Sequence, residues 1–298
     1  LSAYTNKGET SVSEFSKDLP GSITRRDVLR EGIAIAALCI LGCDPLEAEG
    51  AMPSSIKKAL DDPEVEHGYV DFEGGHNRIG AYMSRPRATG KYPAVLVVTG
   101  SSIEEYIQNT TAMLAQAGFV GFAPNIFWLQ KPQMSAEEKR RVFADKVNDT
   151  NIFADLFASL KFLKSQSFVK RGKAGIMGFC FGGRCALMFA ANCRDIGAIV
   201  PFYGNLKTPA FAKREKDPVD VVSDISAPVQ GHYSNADSEI PLTQLAQFEH
   251  DLKAHKTQAE FFTYNAPHGF FAYTRESYRE QAAALAWERT VNFLHKSL

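Results

Sequence analysis

A chain of 298 residues that is 45% hydrophobic and 22% charged has the composition of a globular protein and enough length to bury a sizeable core. A net charge of −1 provides no basic field for nucleic acid, and no set of cysteines and histidines has structural-zinc spacing. There is no internal repeat and no low-complexity block.

Residues 1–60 read as an N-terminal extension ahead of one α/β domain over 61–298. Thr24-Arg25-Arg26-Asp27-Val28-Leu29-Arg30 looks like a twin-arginine export motif, followed by an apolar run from Gly32 to Gly42 that is too short to span a bilayer unaided. Ile40-Leu41-Gly42-Cys43 has the form of a lipoprotein processing site, and Ala48-Glu49-Gly50-Ala51 that of a cleavage region. The expectation is export to the periplasm, with transient contact to the membrane or the export machinery. The other reading is an amphipathic helix retained in a cytoplasmic protein, which the balance of basic and acidic residues over 1–31 favours.

Beyond the extension, residues 69–72 and 78–83 predict a hairpin around Gly74-Gly75. Ala94–Val98 predicts a buried strand, 106–117 a helix and 119–123 a strand. Ser135-Ala136-Glu137-Glu138 marks a helix start, and 151–165 a long helix with Ile152, Phe153, Leu156, Leu160 and Leu163 on one side. Strands follow over 173–178, Ile196–Phe202, 229–233 and 261–264, with helical stretches over 184–191, 242–255 and 282–290. The alternation predicts a mostly parallel central sheet with helices on both faces, a three-layer sandwich.

Gly178-Phe179-Cys180-Phe181-Gly182-Gly183 places a cysteine between a predicted strand and a predicted helix. The Gly-x-Cys-x-Gly spacing matches a nucleophile elbow with Cys in place of Ser, its glycines leaving room for a strained turn that presents the side chain. A free thiol is mostly protonated at neutral pH, so such a nucleophile needs a helix N-terminus and an imidazole beside it. An unreactive buried cysteine is the competing reading, which the flanking glycines oppose. Partners in the order nucleophile, acid, histidine are present: Asp237 follows the predicted strand ending near Tyr233, and His268 lies in the Pro267-His268-Gly269 loop. Of the other histidines, His250 and His255 fall on a polar helix, His295 near the C-terminus, and His67 and His76 ahead of the core. His232 is the rival, but its place inside a strand points to packing.

Together with Phe202-Tyr203-Gly204, Ile240-Pro241 and His268-Gly269-Phe270, these motifs resemble the dienelactone hydrolase family of α/β-hydrolases over about residues 65–295. The resemblance implies the α/β-hydrolase fold, a Cys180–Asp237–His268 triad, and hydrolysis of a small-molecule lactone or ester through a thioester, with no metal or organic cofactor. It also implies an oxyanion hole from the backbone N–H groups of Phe181 and Gly100, and a pocket drawing on Tyr203, Phe270, Trp128 and Arg141. Two departures stand out. Where similar proteins carry an acidic residue directly after the third strand, this chain has Thr99-Gly100-Ser101-Ser102, with Glu104 and Glu105 expected as solvated loop carboxylates. Ala272 takes the place of an arginine just after the catalytic histidine, with Arg275 slightly beyond; Arg140 or Arg141 is a further source of positive charge.

Two other classes stay open. A thiol redox protein would leave Asp237 and His268 unexplained and lacks a C-x-x-C pair. A catalytically silent binding protein on a hydrolase scaffold is compatible with the altered loop at Thr99.

Overall fold

The computed structural model describes residues 59–127, 129, 133–145, 147–208 and 214–298. The export motif, the processing sites and Trp128 lie outside the described residues, as does the side chain of Arg140. Eight strands form one sheet in the order β1-β2-β4-β3-β5-β6-β7-β8. They are β1 Val65–Glu73, β2 Arg78–Pro86, β3 Ala94–Val98, β4 Val120–Pro124, β5 Ala174–Phe179, β6 Ile196–Phe202, β7 Val229–Ser234 and β8 Ala259–Tyr264. Only β2 runs against its neighbours; every pairing from β4 through β8 is parallel. This is the mostly parallel sheet of an α/β-hydrolase.

Residue type explains the layering. β3, β5 and β6 are buried at every position, as apolar runs covered on both faces must be. The edge strand β1 alternates burial with exposure instead. Among the described residues, six α-helices connect and cover the sheet: α1 Glu105–Gln116, α2 Ala136–Asp145, α3 Asp149–Ser165, α4 Phe181–Asn192, α5 Leu242–Ala254 and α6 Glu280–Ser297. The predicted start near Ser135 is a capping box. Ser135 N–H donates to Glu138 Oε2 at 2.7 Å, and Glu138 N–H donates to Ser135 Oγ at 3.2 Å. Asn148 caps α3 by accepting from Asn151 N–H at 2.9 Å.

The strand order reverses at β3. From β3 the chain passes through α1 to β4 on one side, then returns through α2 and α3 to β5 on the other. The adjacent carboxyl ends of β3 and β5 diverge there, opening the crevice where open parallel sheets place ligands. Thr99 leaves one end and Cys180 the other. Val98 and Gly178 are register partners, so the two loops start side by side.

The described core includes one charged side chain that periodicity concealed. Arg184, on the helix expected to be apolar, is wholly buried; it donates to both Asp149 carboxylate oxygens at 2.8 Å, to Thr208 Oγ1 at 2.7 Å and to the Lys216 carbonyl at 2.6 Å. This network fixes the start of α3 and the segment around Lys216 to the helix that follows Cys180. Complete hydrogen bonding is what makes a buried guanidinium tolerable.

Candidate active site

Cys180 has φ 55° and ψ −124°, a left-handed conformation that a side chain adopts only under constraint. Its own N–H donates to the Phe202 carbonyl at 3.0 Å, so the strand ladder holds the turn. The glycines explain why the chain can close so tightly. A Cβ on Gly178 would fall 2.1 Å from the Gly182 carbonyl oxygen, and one on Gly182 would fall 2.2 Å from that of Val98. α4 begins at Phe181, directly after the cysteine, rather than at Arg184: both glycines after Phe181 sit inside the helix, where their lack of side chains lets Gly182 pack on the end of β3 and Gly183 on Gly204 after β6.

That helical turn leaves its N–H groups without intrahelical acceptors and concentrates partial positive charge beside the sulfur. The loop after β3 closes the other side. A Cβ on Gly100 would stand 3.5 Å from the Phe181 nitrogen and 3.0 Å from its Cβ, which places the Gly100 backbone against the turn. Phe181 turns its ring away, packing on Phe143 at 4.7 Å and Phe127 at 6.1 Å.

Asp237 and His268 reach the site from the loops after β7 and β8. The Asp237 side chain is 1% exposed, and its Oδ2 accepts from His268 Nδ1 at 2.6 Å. Its Oδ1 accepts from Glu239 N–H at 2.8 Å, fixing the carboxylate plane. Ser234 Oγ donates to the Ala266 carbonyl and accepts from Ala236 N–H, tying the two loops together. With Nδ1 on the aspartate, Nε2 is the atom left for the thiol. It is buried and short of a fully formed hydrogen bond, yet the Cys180 sulfur is close enough to act on it. Burial opposes charge on His268, but hydrogen bonding to Asp237 and Cys180, with their negative charges, outweighs it and raises its pKa to about 10. The imidazole therefore carries its proton at neutral pH.

Two tyrosines complete the surroundings. Tyr203, with φ 38°, follows β6 and packs its ring 4.9 Å from that of His268. Tyr106, in the first turn of α1, meets Phe179 edge-to-face at 5.8 Å. Burial is the main reason both phenols titrate high: Tyr106 is pushed up to about 12 and Tyr203 well above its ordinary value, and both sense the charge of Cys180. They stay neutral and available as donors. Tyr106 was invisible in the sequence, where an aromatic on a helix reads as core; its position two residues past a strand-end loop was the only signal.

The remaining expected pocket residues do not gather around the thiol. Phe270 is wholly buried and packs on Tyr203, Tyr264 and Phe202, so it belongs to the core behind the site. Arg141 is exposed on α2 and pairs with Glu137 one turn earlier at 3.3 Å. Glu104 and Glu105 are solvent-accessible, as expected, and each has a partner there: Glu104 accepts from Arg275 at 2.7 Å and Glu105 from the Tyr273 hydroxyl at 3.1 Å. The loop after His268 folds back over the start of α1, which brings them together. Cys185 and Cys193 are buried and free, and burial pushes Cys185 up to about 12, leaving it an unreactive packing thiol. His232 is neutral and hydrogen-bonded on both nitrogens, to Tyr264 at 2.8 Å and Thr290 at 3.0 Å. Among the described residues, no group of three or more His, Cys, Asp or Glu is placed to hold a metal ion.

The family model of the dienelactone hydrolases matches residues 79–298. A Bradyrhizobium protein assigned as a 2-oxo-3-(5-oxofuran-2-ylidene)propanoate lactonase is 34% identical, the match covering 74% of this chain and 90% of that protein. A Methylorubrum extorquens protein assigned as a carboxymethylenebutenolidase is 32% identical, with 71% and 74% covered. The crystal structure of a Klebsiella pneumoniae protein assigned as a dienelactone hydrolase superposes with a TM-score of 0.71 at 29% identity, covering 78% of this chain and 99% of that one.

Proposed function

The chain belongs to the dienelactone hydrolase family and is a hydrolase, and from that premise we propose that it cleaves a carboxylic ester or lactone by covalent catalysis at Cys180. The observation that carries the reading is the charged relay beside the strained turn: Asp237 bonded at 2.6 Å to an imidazole that in turn faces the Cys180 sulfur.

Each step follows from a named group. His268, protonated at neutral pH, stabilises the Cys180 thiolate by charge. The thiolate attacks the acyl carbon, and the carbonyl π electrons move to oxygen, where the N–H groups of Phe181 and Gly100 receive them. Collapse expels the alcohol or ring oxygen, which takes the proton from His268 Nε2, leaving a thioester on Cys180. The neutral imidazole then removes a proton from water as the water attacks the thioester. A second oxyanion collapses, the carboxylic acid departs, and thiolate and imidazolium are restored. Asp237 holds Nδ1 throughout, so Nε2 always faces the reaction.

The test is p-nitrophenyl acetate turnover by the full chain and by Cys180→Ala, with mass spectrometry for an acyl adduct during turnover. Loss of activity in the variant and an adduct on the Cys180 peptide are expected. Turnover that survives the substitution sinks the assignment.

The twin-arginine motif at Arg25-Arg26 supports export as the route of the native protein. The mass of the N-terminus recovered from the producing cell tests it: a chain still carrying Arg25-Arg26 rejects cleavage after export.

A further inference from the structure

The rim of the site carries a cation that is already answered from within the chain. Arg275, in the loop after His268, places its guanidinium 5.7 Å from the centre of the Tyr106 ring, and Tyr106 and Tyr203 are the two aromatics whose hydroxyls sense Cys180. Its partner is Glu104, the N-cap residue just before α1, at 2.7 Å. The same carboxylate oxygen accepts from Ser101 Oγ at 3.1 Å, which holds it toward the loop containing Gly100. Glu105 adds a second carboxylate beside it, engaged only by the neutral Tyr273 hydroxyl at 3.1 Å. Two carboxylates against one guanidinium leave this rim with a net negative charge. The other arginines packed on the nucleophile turn, Arg184 and Arg214, lie on the Phe181 ring and pair with Asp149.

The side of the site formed by the Gly100 loop and the first turn of α1 thus carries a rim whose positive charge is neutralised. A carboxylate on an acyl group bound beside this rim would have to displace Glu104 from Arg275, then sit beside both released and unreleased negative charge in a half-exposed setting, where repulsion is only partly screened. From this arrangement we infer that Glu104 is a specificity-determining residue that directs the enzyme to uncharged acyl groups, by holding Arg275 and repelling anionic substrates. The inference rests on the ester-hydrolase reading of Cys180 and extends it to substrate class.

Two esters with acyl chains of the same length test it: p-nitrophenyl hexanoate, which is neutral, and mono-p-nitrophenyl adipate, which ends in a carboxylate. The readout is the ratio of their kcat/KM values. The full-length wild-type enzyme is expected to favour the hexanoate. Glu104→Gln is expected to move the ratio toward the adipate by about five- to tenfold, the scale of one partly screened charge interaction, chiefly through a lower adipate KM. Glu104→Ser removes the carboxylate while supplying a better helix N-cap, so it folds readily and should shift the ratio the same way. Adding Arg275→Gln to either variant should cancel the gain. A wild-type enzyme that prefers the adipate, a ratio unmoved by both Glu104 variants, or a gain that persists without Arg275 overturns the inference. Cys180→Ala controls separate the two claims: turnover of the hexanoate that survives this change overturns the catalytic reading, whereas Cys180-dependent turnover with an unmoved ratio overturns the role of Glu104 alone.

Discussion

The loop after β8 and the interior of β7 each carry one histidine, and the two behave in opposite ways. His232 in β7 is wholly buried; burial first, and the charge of Arg289 second, push its pKa down to about 3. In the neutral ring Nε2–H donates to Thr290 Oγ1, whose own proton goes to the Ala286 carbonyl, and Nδ1 accepts from the Tyr264 hydroxyl. His268 also loses water, yet its pKa rises to about 10, because a carboxylate and a thiol stand where His232 has hydroxyls. Burial alone makes a histidine structural. Burial with a buried aspartate makes it a proton carrier.

The contrast also sets how stability depends on pH. For His268 the folded value lies above the ordinary 6.5, so its contribution is complete below about 6.5 and is lost as pH climbs through about 10. For His232 the folded value lies below 6.5, so the unfolded chain takes up the proton first, and stability is lost as pH falls from about 6.5 toward 3. The two slopes oppose each other on either side of 6.5.

The largest expected effect comes from breaking the half proposed to be catalytic. His268→Ala should lower kcat for p-nitrophenyl acetate by about a thousandfold, the scale of a lost general acid–base, while leaving the melting curve cooperative. A drop of less than tenfold would reject the role. Asp237→Asn should cost about a hundredfold or more in kcat by releasing the tautomer of His268, and should bring its pKa back toward 6.5. Thermal melts from pH 6 to 10 check this, because the alkaline loss of stability seen in the wild type should flatten in the variant; an unchanged slope would mean that Asp237 does not hold the proton. On the structural half, His232→Phe should leave kcat within about threefold yet destabilise the fold by roughly 2 kcal/mol, since Tyr264 and Thr290 lose their partner. It should also flatten the acid-side loss in urea melts between pH 4 and 6.5. Thr290→Val, the mildest change, strips one partner from His232 Nε2 and should cost about 1 kcal/mol in the same urea titration, with activity retained.

Sequence reading separated these two histidines correctly by place, one in a strand and one in a Pro/Gly loop, but it did not reveal what either one touches. The strand ends, the order Cys180, Asp237, His268 and the glycines of the turn were legible because each is a short-range pattern. Helix α4 starts earlier than its apolar run indicates because Gly182 and Gly183 weaken helix propensity locally, while the close packing of Gly182 on β3 and of Gly183 on Gly204 after β6 rewards the helix. Glu104 looked like a loop carboxylate because its partner Arg275 lies 171 residues away. Phe270, expected in the pocket, fills the core behind the site instead, because its ring packs on Phe202, Tyr203 and Tyr264.

Periodicity, turn residues and motif spacing are properties of neighbouring residues, so the sequence by itself determined the alternating elements, the parallel sheet, the cysteine elbow and the chain order of its partners. Which carboxylate meets which cation depends on how the loops after β3 and β8 fold across one another. Only the tertiary structure decided that His268 stays charged, that His232 does not, and that Arg275 is held by Glu104, because each outcome turns on burial and on partners brought together across the sheet.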